Sequence, residues 1–293
     1  MKIEGPSAGP AAAEQKYRVE TFAPLAAHLR AAADRSAFVT SACGEIVRLV
    51  EDAFNAAGAH VLAVSLFDVW LLGDRRSAPS RAYEAACAAA QLVQDGARRA
   101  LDGGDILAAR LEAARVVAQW SPALAQAAAA PDALALATRL LGLPPQARRS
   151  LREAELEGAL AGSLLNPALA ECARILRRRG ARIVLCVNAA LDAGRVREAL
   201  SKRDPAAMEG VDAVYALGPS LAKSALHAME RAEQAAPTAF LFVTESLQAL
   251  HGAQSAGWAG LHFPVSDQEA AARSAEEEQF WARLRAERAG GAR

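Results

Sequence analysis

The stretch HVLAVSLFDVWLL, His60–Leu72, decides how this chain is read. It is the first run rich in β-branched and aromatic residues in an alanine-rich sequence, and that composition favours a buried strand over another helix. The run stops at Gly73 and Asp74. Four more runs of the same kind follow: RIVLCV (Arg182–Val187), VDAVYAL (Val211–Leu217), TAFLFV (Thr238–Val243) and GLHFPV (Gly260–Val265). A segment of helical character separates each of these later runs from the next. Such alternation predicts parallel βαβ units that close with right-handed crossovers into a doubly wound sheet.

Only the first gap breaks the rhythm. Between Gly73 and Asn166 there are helical patterns punctuated by Gly103–Gly104, Pro122, Pro131 and Pro144–Pro145, which predicts a helical insertion after the first strand. Its expected small core includes Leu107, Leu111, Val116, Leu136 and Leu140. Upstream, Leu25, Leu29, Ile46, Val47, Val50 and Phe54 recur at helical spacing, broken near Asp34–Ser36, so two helices are expected before the first strand. Asn166–Pro167 and Asp204–Pro205 each place a capping side chain before a proline suited to a first helical turn. Ser266 with Glu269 forms a capping box for a last helix that carries Phe280, Trp281 and Leu284. The expected domains are a mobile tail over 1–18, N-terminal helices over 19–57 and an α/β core from 58–74 and 170–266. A helical cap over 75–169 and a C-terminal helix over 267–293 complete them.

Composition excludes several classes of function. With 293 residues, 53% of them hydrophobic, the chain can bury a sizeable core, so general disorder is excluded. Lys and Arg number 33 and Asp and Glu number 33, leaving no net field to draw the protein to nucleic acid or an anionic membrane. Cys43, Cys87, Cys172 and Cys186 form no CxxC pair, and the five histidines (His28, His60, His227, His251, His262) show neither HxH nor HExxH spacing. No zinc site or disulfide framework is expected. The opening MKIEGPSAGPAAAEQK does not read as a signal peptide and no run spans a bilayer, so a cytoplasmic protein without membrane insertion is expected. The GxGxxG turn of a dinucleotide site and the GxSxG of a serine hydrolase are both missing.

The layout of an α/β sheet with a helical insertion directly after strand one resembles the haloacid dehalogenase (HAD) superfamily, and several segments add to the resemblance. HVLAVSLFDVWLL resembles its first-motif strand, in the subgroup whose pattern reads SFDVFDTLL. LREAELEGALAGSLLNPALAECARILRRRGARIVLCVNAAL (Leu151–Leu191) resembles the helix, Asn-Pro start and second-motif strand. VDAVYALGPSLAKSALHAM resembles the third-motif region, and FLFVTESLQALHGAQSAGWAGLHFPV the last one. The resemblance covers most of residues 60–265 and implies a HAD-like, Rossmann-like α/β fold with a helical cap and helical extensions at both ends.

Chemistry in that superfamily uses an aspartate nucleophile after strand one, a Ser or Thr after strand two, a lysine, and acidic Mg²⁺ ligands after strand four. Aligned on the Leu-Leu pair, the pattern puts Leu66 at the nucleophile, Val69 at the second aspartate and Trp70 at the threonine. Shifted by two, it makes Asp68 the nucleophile and sets Leu71 and Leu72 in place of Asp-Thr. Both registers stay open. Val187–Asn188 stands for Ser-Asp, Val243–Thr244–Glu245 for Gly-Asp-Asn, and Gln248–Ala249 for Ser-Asp, while Lys223 is kept.

Removing one positioned electrostatic group typically costs on the order of 100-fold in rate, and several are replaced here. The expectation is a HAD-like pseudoenzyme without a cofactor. It would bind a protein partner or a small anionic ligand at the cap–core cleft through Asp68, Asn188, Lys223 and Glu245. The resemblance to the SFDVFDTLL subgroup suggests surface-polysaccharide synthesis as the setting. The alternative is a divergent Mg²⁺-dependent phosphatase with Asp68 as nucleophile and Lys223 as its partner. Plainer roles stand beside these: Asp68 as the polar end of a buried strand, Lys223 as a solvated helix residue, Glu245 as an acidic residue at a helix start, and Asn188 as a loop hydrogen bonder.

Overall fold

The computed structural model describes residues 39–72, 78–93, 100–124, 133–161, 163–187, 191–217, 223–263 and 267–290. The tail over 1–18, the first N-terminal helix, Asn188 and the Ser266 cap lie outside them. The chain forms two compact units, 1–74 with 163–271, and 75–162 with 272–293.

The first unit is built on five parallel strands: β1 (Val61–Ser65), β4 (Arg182–Val187), β5 (Ala213–Ala216), β6 (Phe240–Thr244) and β7 (Ala259–His262), in the order β5-β4-β1-β6-β7. Chain order thus runs outward in both directions from a central first strand, the doubly wound arrangement expected from the alternation. Because β1 is hydrogen-bonded on both sides and covered on both faces, all five of its residues are buried. Helix α1 (Val39–Ala56) packs on α6 (Pro167–Arg178), while α7 (Ala193–Arg203) packs on β5 and the short α8 (Pro205–Met208), and α10 (Leu247–Ser255) covers β6 and β7. Between them in sequence, α9 (Lys223–Glu233) leads back to β6. On one face of the sheet Trp258 stacks on Phe240 with ring centroids 4.3 Å apart, and its indole N–H donates to Glu230 Oε1 at 2.7 Å. Both Asx caps form as the residues require: Asn166 accepts from the amides of Ala168 and Leu169, and Asp204 from that of Ala207.

Two expectations are corrected in this unit. His60–Leu72 is not one strand: β1 stops at Ser65, and β2 (Leu71–Leu72) resumes after a turn. The turn is closed by amide bonds that reach back five residues, Trp70 N to Ser65 O at 3.0 Å and Leu71 N to Leu66 O at 2.7 Å. The segment 75–169 is not wholly helical, since β3 (Leu164–Leu165) pairs antiparallel with β2.

The second unit packs α2 (Ala78–Val93) against α3 (Gly103–Leu124) and α5 (Ala147–Leu160), with α4 (Ala133–Leu140) on α3. Alanine makes this close packing possible. A Cβ added at Gly158 would lie 2.5 Å from that of Ala85, so α2 and α5 meet nearly backbone to backbone. Ile106, Leu107, Leu134, Leu143 and Leu151 form the core with Phe280 of α11 (Asp267–Gly290). Leu107 is therefore a core residue, but Leu111 and Leu140 are 49% and 52% exposed. Val116 and Leu136 are only partly buried. In helices so rich in alanine the apolar stripe is too diffuse to tell a core-facing leucine from a solvent-facing one.

Candidate functional site

Parallel strands put all their carboxyl ends on one edge, and ligands of open α/β sheets collect outside that edge. At the centre of this edge β1 ends in Ser65, whose hydroxyl is almost fully buried and must be paired. It donates to Thr244 Oγ1 at 2.8 Å, the last residue of the neighbouring β6. Thr244 Oγ1 in turn accepts from the Ser246 amide and donates to Glu245 Oε2 at 3.3 Å. Ser246 then caps α10 through a bond from the Ala249 amide. From the end of β7, His262 Nε2 lies 3.0 Å from the Glu245 carbonyl and donates to it.

The turn after β1 sorts its side chains sharply. Leu66, Val69 and Trp70 are 0% exposed, whereas Phe67 and Asp68 are half-buried. The indole N–H of Trp70 is satisfied by the Ala207 carbonyl at 2.9 Å. Asn166 holds the turn from α6: its Nδ2 donates to Val69 O at 3.0 Å and its backbone amide to Trp70 O at 2.8 Å. Asp68 has a φ of 62°, a left-handed conformation that its short polar side chain tolerates better than most.

The structure brings Asp68 and Glu245 close enough to interact electrostatically. Burial pushes the Glu245 carboxyl above its ordinary value and the nearby Asp68 adds to the effect, against hydrogen bonds from its own amide, Ser65 and Thr244. The plain reading of Glu245 as a residue in a first helical turn is refined, since α10 starts at Leu247 behind its Ser246 cap. Lys223 is the first residue of α9, the helix that follows β5, and Asn188 lies outside the described residues just past the end of β4. Sequence reasoning missed Ser65, Thr244 and His262. The one available signal was a hydroxyl residue closing each of two apolar strands.

Two carboxyls that interact can share a proton, so that one donates a hydrogen bond while the other accepts. Mg²⁺ instead asks for ionised oxygen ligands in octahedral array. Among the described residues no group of three or more His, Cys, Asp or Glu side chains comes together. No helix among them is long and apolar enough to cross a membrane.

No family model and no curated protein matches this sequence. Solved structures do. The chain is similar to a 2-haloacid dehalogenase from Pseudomonas syringae pv. Tomato DC3000, with 16% identity and a TM-score of 0.45 over 70% of this chain and 86% of that one. It is also similar to a predicted HAD-like family hydrolase from Porphyromonas gingivalis, at 14% identity and a TM-score of 0.43 over 71% and 92%. A predicted phosphoglycolate phosphatase from Haemophilus somnus 129pt gives 14% and 0.40 over 72% and 91%.

Proposed function

We propose that this chain is a HAD-like pseudoenzyme, a binding or accessory protein that keeps the scaffold and has given up phosphoryl chemistry. One observation carries the reading. Leu66, Val69 and Trp70, which the gap-free register sets at the nucleophile, the second aspartate and the threonine, are all fully buried in the protein interior. That turn therefore offers a ligand apolar packing from below and, of its five residues, only Phe67 and Asp68 at its surface, the Asp68 carboxyl being the ionisable group among them. A small anion or a protein partner at the carboxyl edge of the sheet, contacted by Asp68, Asn188, Lys223 and Glu245, is the occupant we favour. Surface-polysaccharide synthesis is the setting to which the sequence resemblance points.

The divergent phosphatase is favoured by a different observation, the proximity of Asp68 to Glu245 across the ends of β1 and β6. A phosphatase assay with p-nitrophenyl phosphate and Mg²⁺ separates the two. The pseudoenzyme reading expects no turnover above buffer. Mg²⁺-dependent turnover that disappears in Asp68→Asn would refute it and install the phosphatase in its place.

A further inference from the structure

The opposite, amino-terminal edge of the sheet holds a cavity of about 520 Å³ lined by residues of the first unit alone. Three helices return to the sheet around it, and each ends in the same way. The amides of Ala59, Ala181 and Ala235 bind the carbonyls of Phe54, Leu176 and Glu230, five residues back. Such a cap needs a left-handed residue just before the donating amide. Gly58, Gly180 and Gln234 fill that place, with φ of 61°, 88° and 53°. Two are glycine, while the third carries a side chain into a region that favours glycine and borders the cavity.

Behind the cavity the Glu233 side chain is 1% exposed, yet both of its oxygens are engaged: the Tyr215 hydroxyl donates to Oε1, and Arg182 Nε forms an ion pair with Oε2 at 2.9 Å. Arg182 is thereby paired through Nε while 54% of its side chain stays exposed. Its Nη groups have no partner among the described residues, and the same holds for the side chains of His60, Gln234 and Thr238, which share the lining. The one carboxylate of the lining is thus paired with Arg182, and each group left over can donate a hydrogen bond.

We propose that this cavity is a second binding site, one for the phosphate group of a small molecule. Arg182 is its charged anchor, and His60, Gln234 and Thr238 are its further donors. Glu233 is a positioning residue: its ion pair with Nε holds Arg182 in the lining and leaves the Nη groups for the ligand. The volume exceeds that of a phosphate ion and leaves room for an organic remainder. The site lies at the far end of the strands from Asp68 and Glu245 and does not depend on what happens there.

The test is calorimetric titration of the full chain with inorganic phosphate. The component of interest is the one that survives Lys223→Ala. It should weaken about tenfold in Arg182→Lys, which keeps a counter-ion for Glu233 but loses the planar fork of donors. Gln234→Gly should weaken it severalfold while melting no lower than the parent, because the left-handed position then carries glycine. The proposal is overturned if no phosphate binding survives Lys223→Ala, or if the surviving component is unchanged in both Arg182→Lys and Gln234→Gly.

Discussion

Asn166 is completely buried and serves three partners at once, so its replacement by alanine should be among the costliest single changes in the sheet unit. Its Oδ1 takes the amides of Ala168 at 3.1 Å and Leu169 at 3.4 Å, and its Nδ2 supplies the Val69 carbonyl at 3.0 Å. Losing the cap costs about 1 kcal/mol. Stripping a buried carbonyl of its donor adds about 1–3 kcal/mol, so a total of roughly 2–4 kcal/mol is expected. Serine at this position restores an acceptor for the helix amides but is too short to reach Val69, and should recover about 1 kcal/mol of the loss. Urea unfolding followed by far-ultraviolet circular dichroism measures both variants, with the slope m unchanged if the native and unfolded states keep their surfaces. A loss below about 1 kcal/mol in Asn166→Ala, or a serine variant no better than alanine, would refute the assignment of Asn166 as the clamp between the Asp68 turn and α6.

Two further outcomes follow from the geometry. The Glu245 carboxyl has a folded pKa raised above 4.5, so the fold binds its proton more tightly than the unfolded chain does. That contribution to stability is complete below the unfolded pKa and is lost as pH rises through the folded one. Glu245→Gln should therefore flatten this decline and stabilise the protein at neutral pH, and thermal melts across pH 4–8 that run parallel to wild type would contradict it. In the helical unit, a Cβ at Gly103 would lie 2.3 Å from Cys87 Sγ and 3.0 Å from the Cys87 backbone nitrogen. Gly103→Ala should cost about 1–3 kcal/mol by overpacking, and Cys87→Ala in the same chain should return only part of it, because the backbone contact remains.

All five sheet strands overlap runs singled out by composition, and β4 coincides with its run from Arg182 to Val187. A strand buried on both faces has to be continuously apolar, which is a local property and can be read locally. The same is true of Asn166–Pro167 and Asp204–Pro205, where side chain and ring act on amides two or three residues away. Asp68 and Glu245 were singled out as well, as carboxylates within or just beyond apolar runs.

The remainder depends on contacts between residues far apart in the chain. His60–Leu72 is predominantly apolar, and nothing in that pattern announces that the chain turns back after Ser65; the turn is held by hydrogen bonds to Asn166, Ala207 and Cys186. Ser65 and Thr244 meet across 179 positions, so no spacing rule could join them. Leu111 and Leu140 looked like core residues until packing between helices chose which stripe to cover. Sequence by itself determined the βαβ alternation, the insertion after the first strand and the helix caps, since each rests on hydrophobic burial or hydrogen bonding within a few residues. Tertiary structure alone decided that Leu66, Val69 and Trp70 are sealed inside while Asp68 stays half-buried within electrostatic reach of Glu245. Side-chain direction beyond a strand end is set by the partners that the fold brings to it, and those partners come from strands and helices distant in the chain.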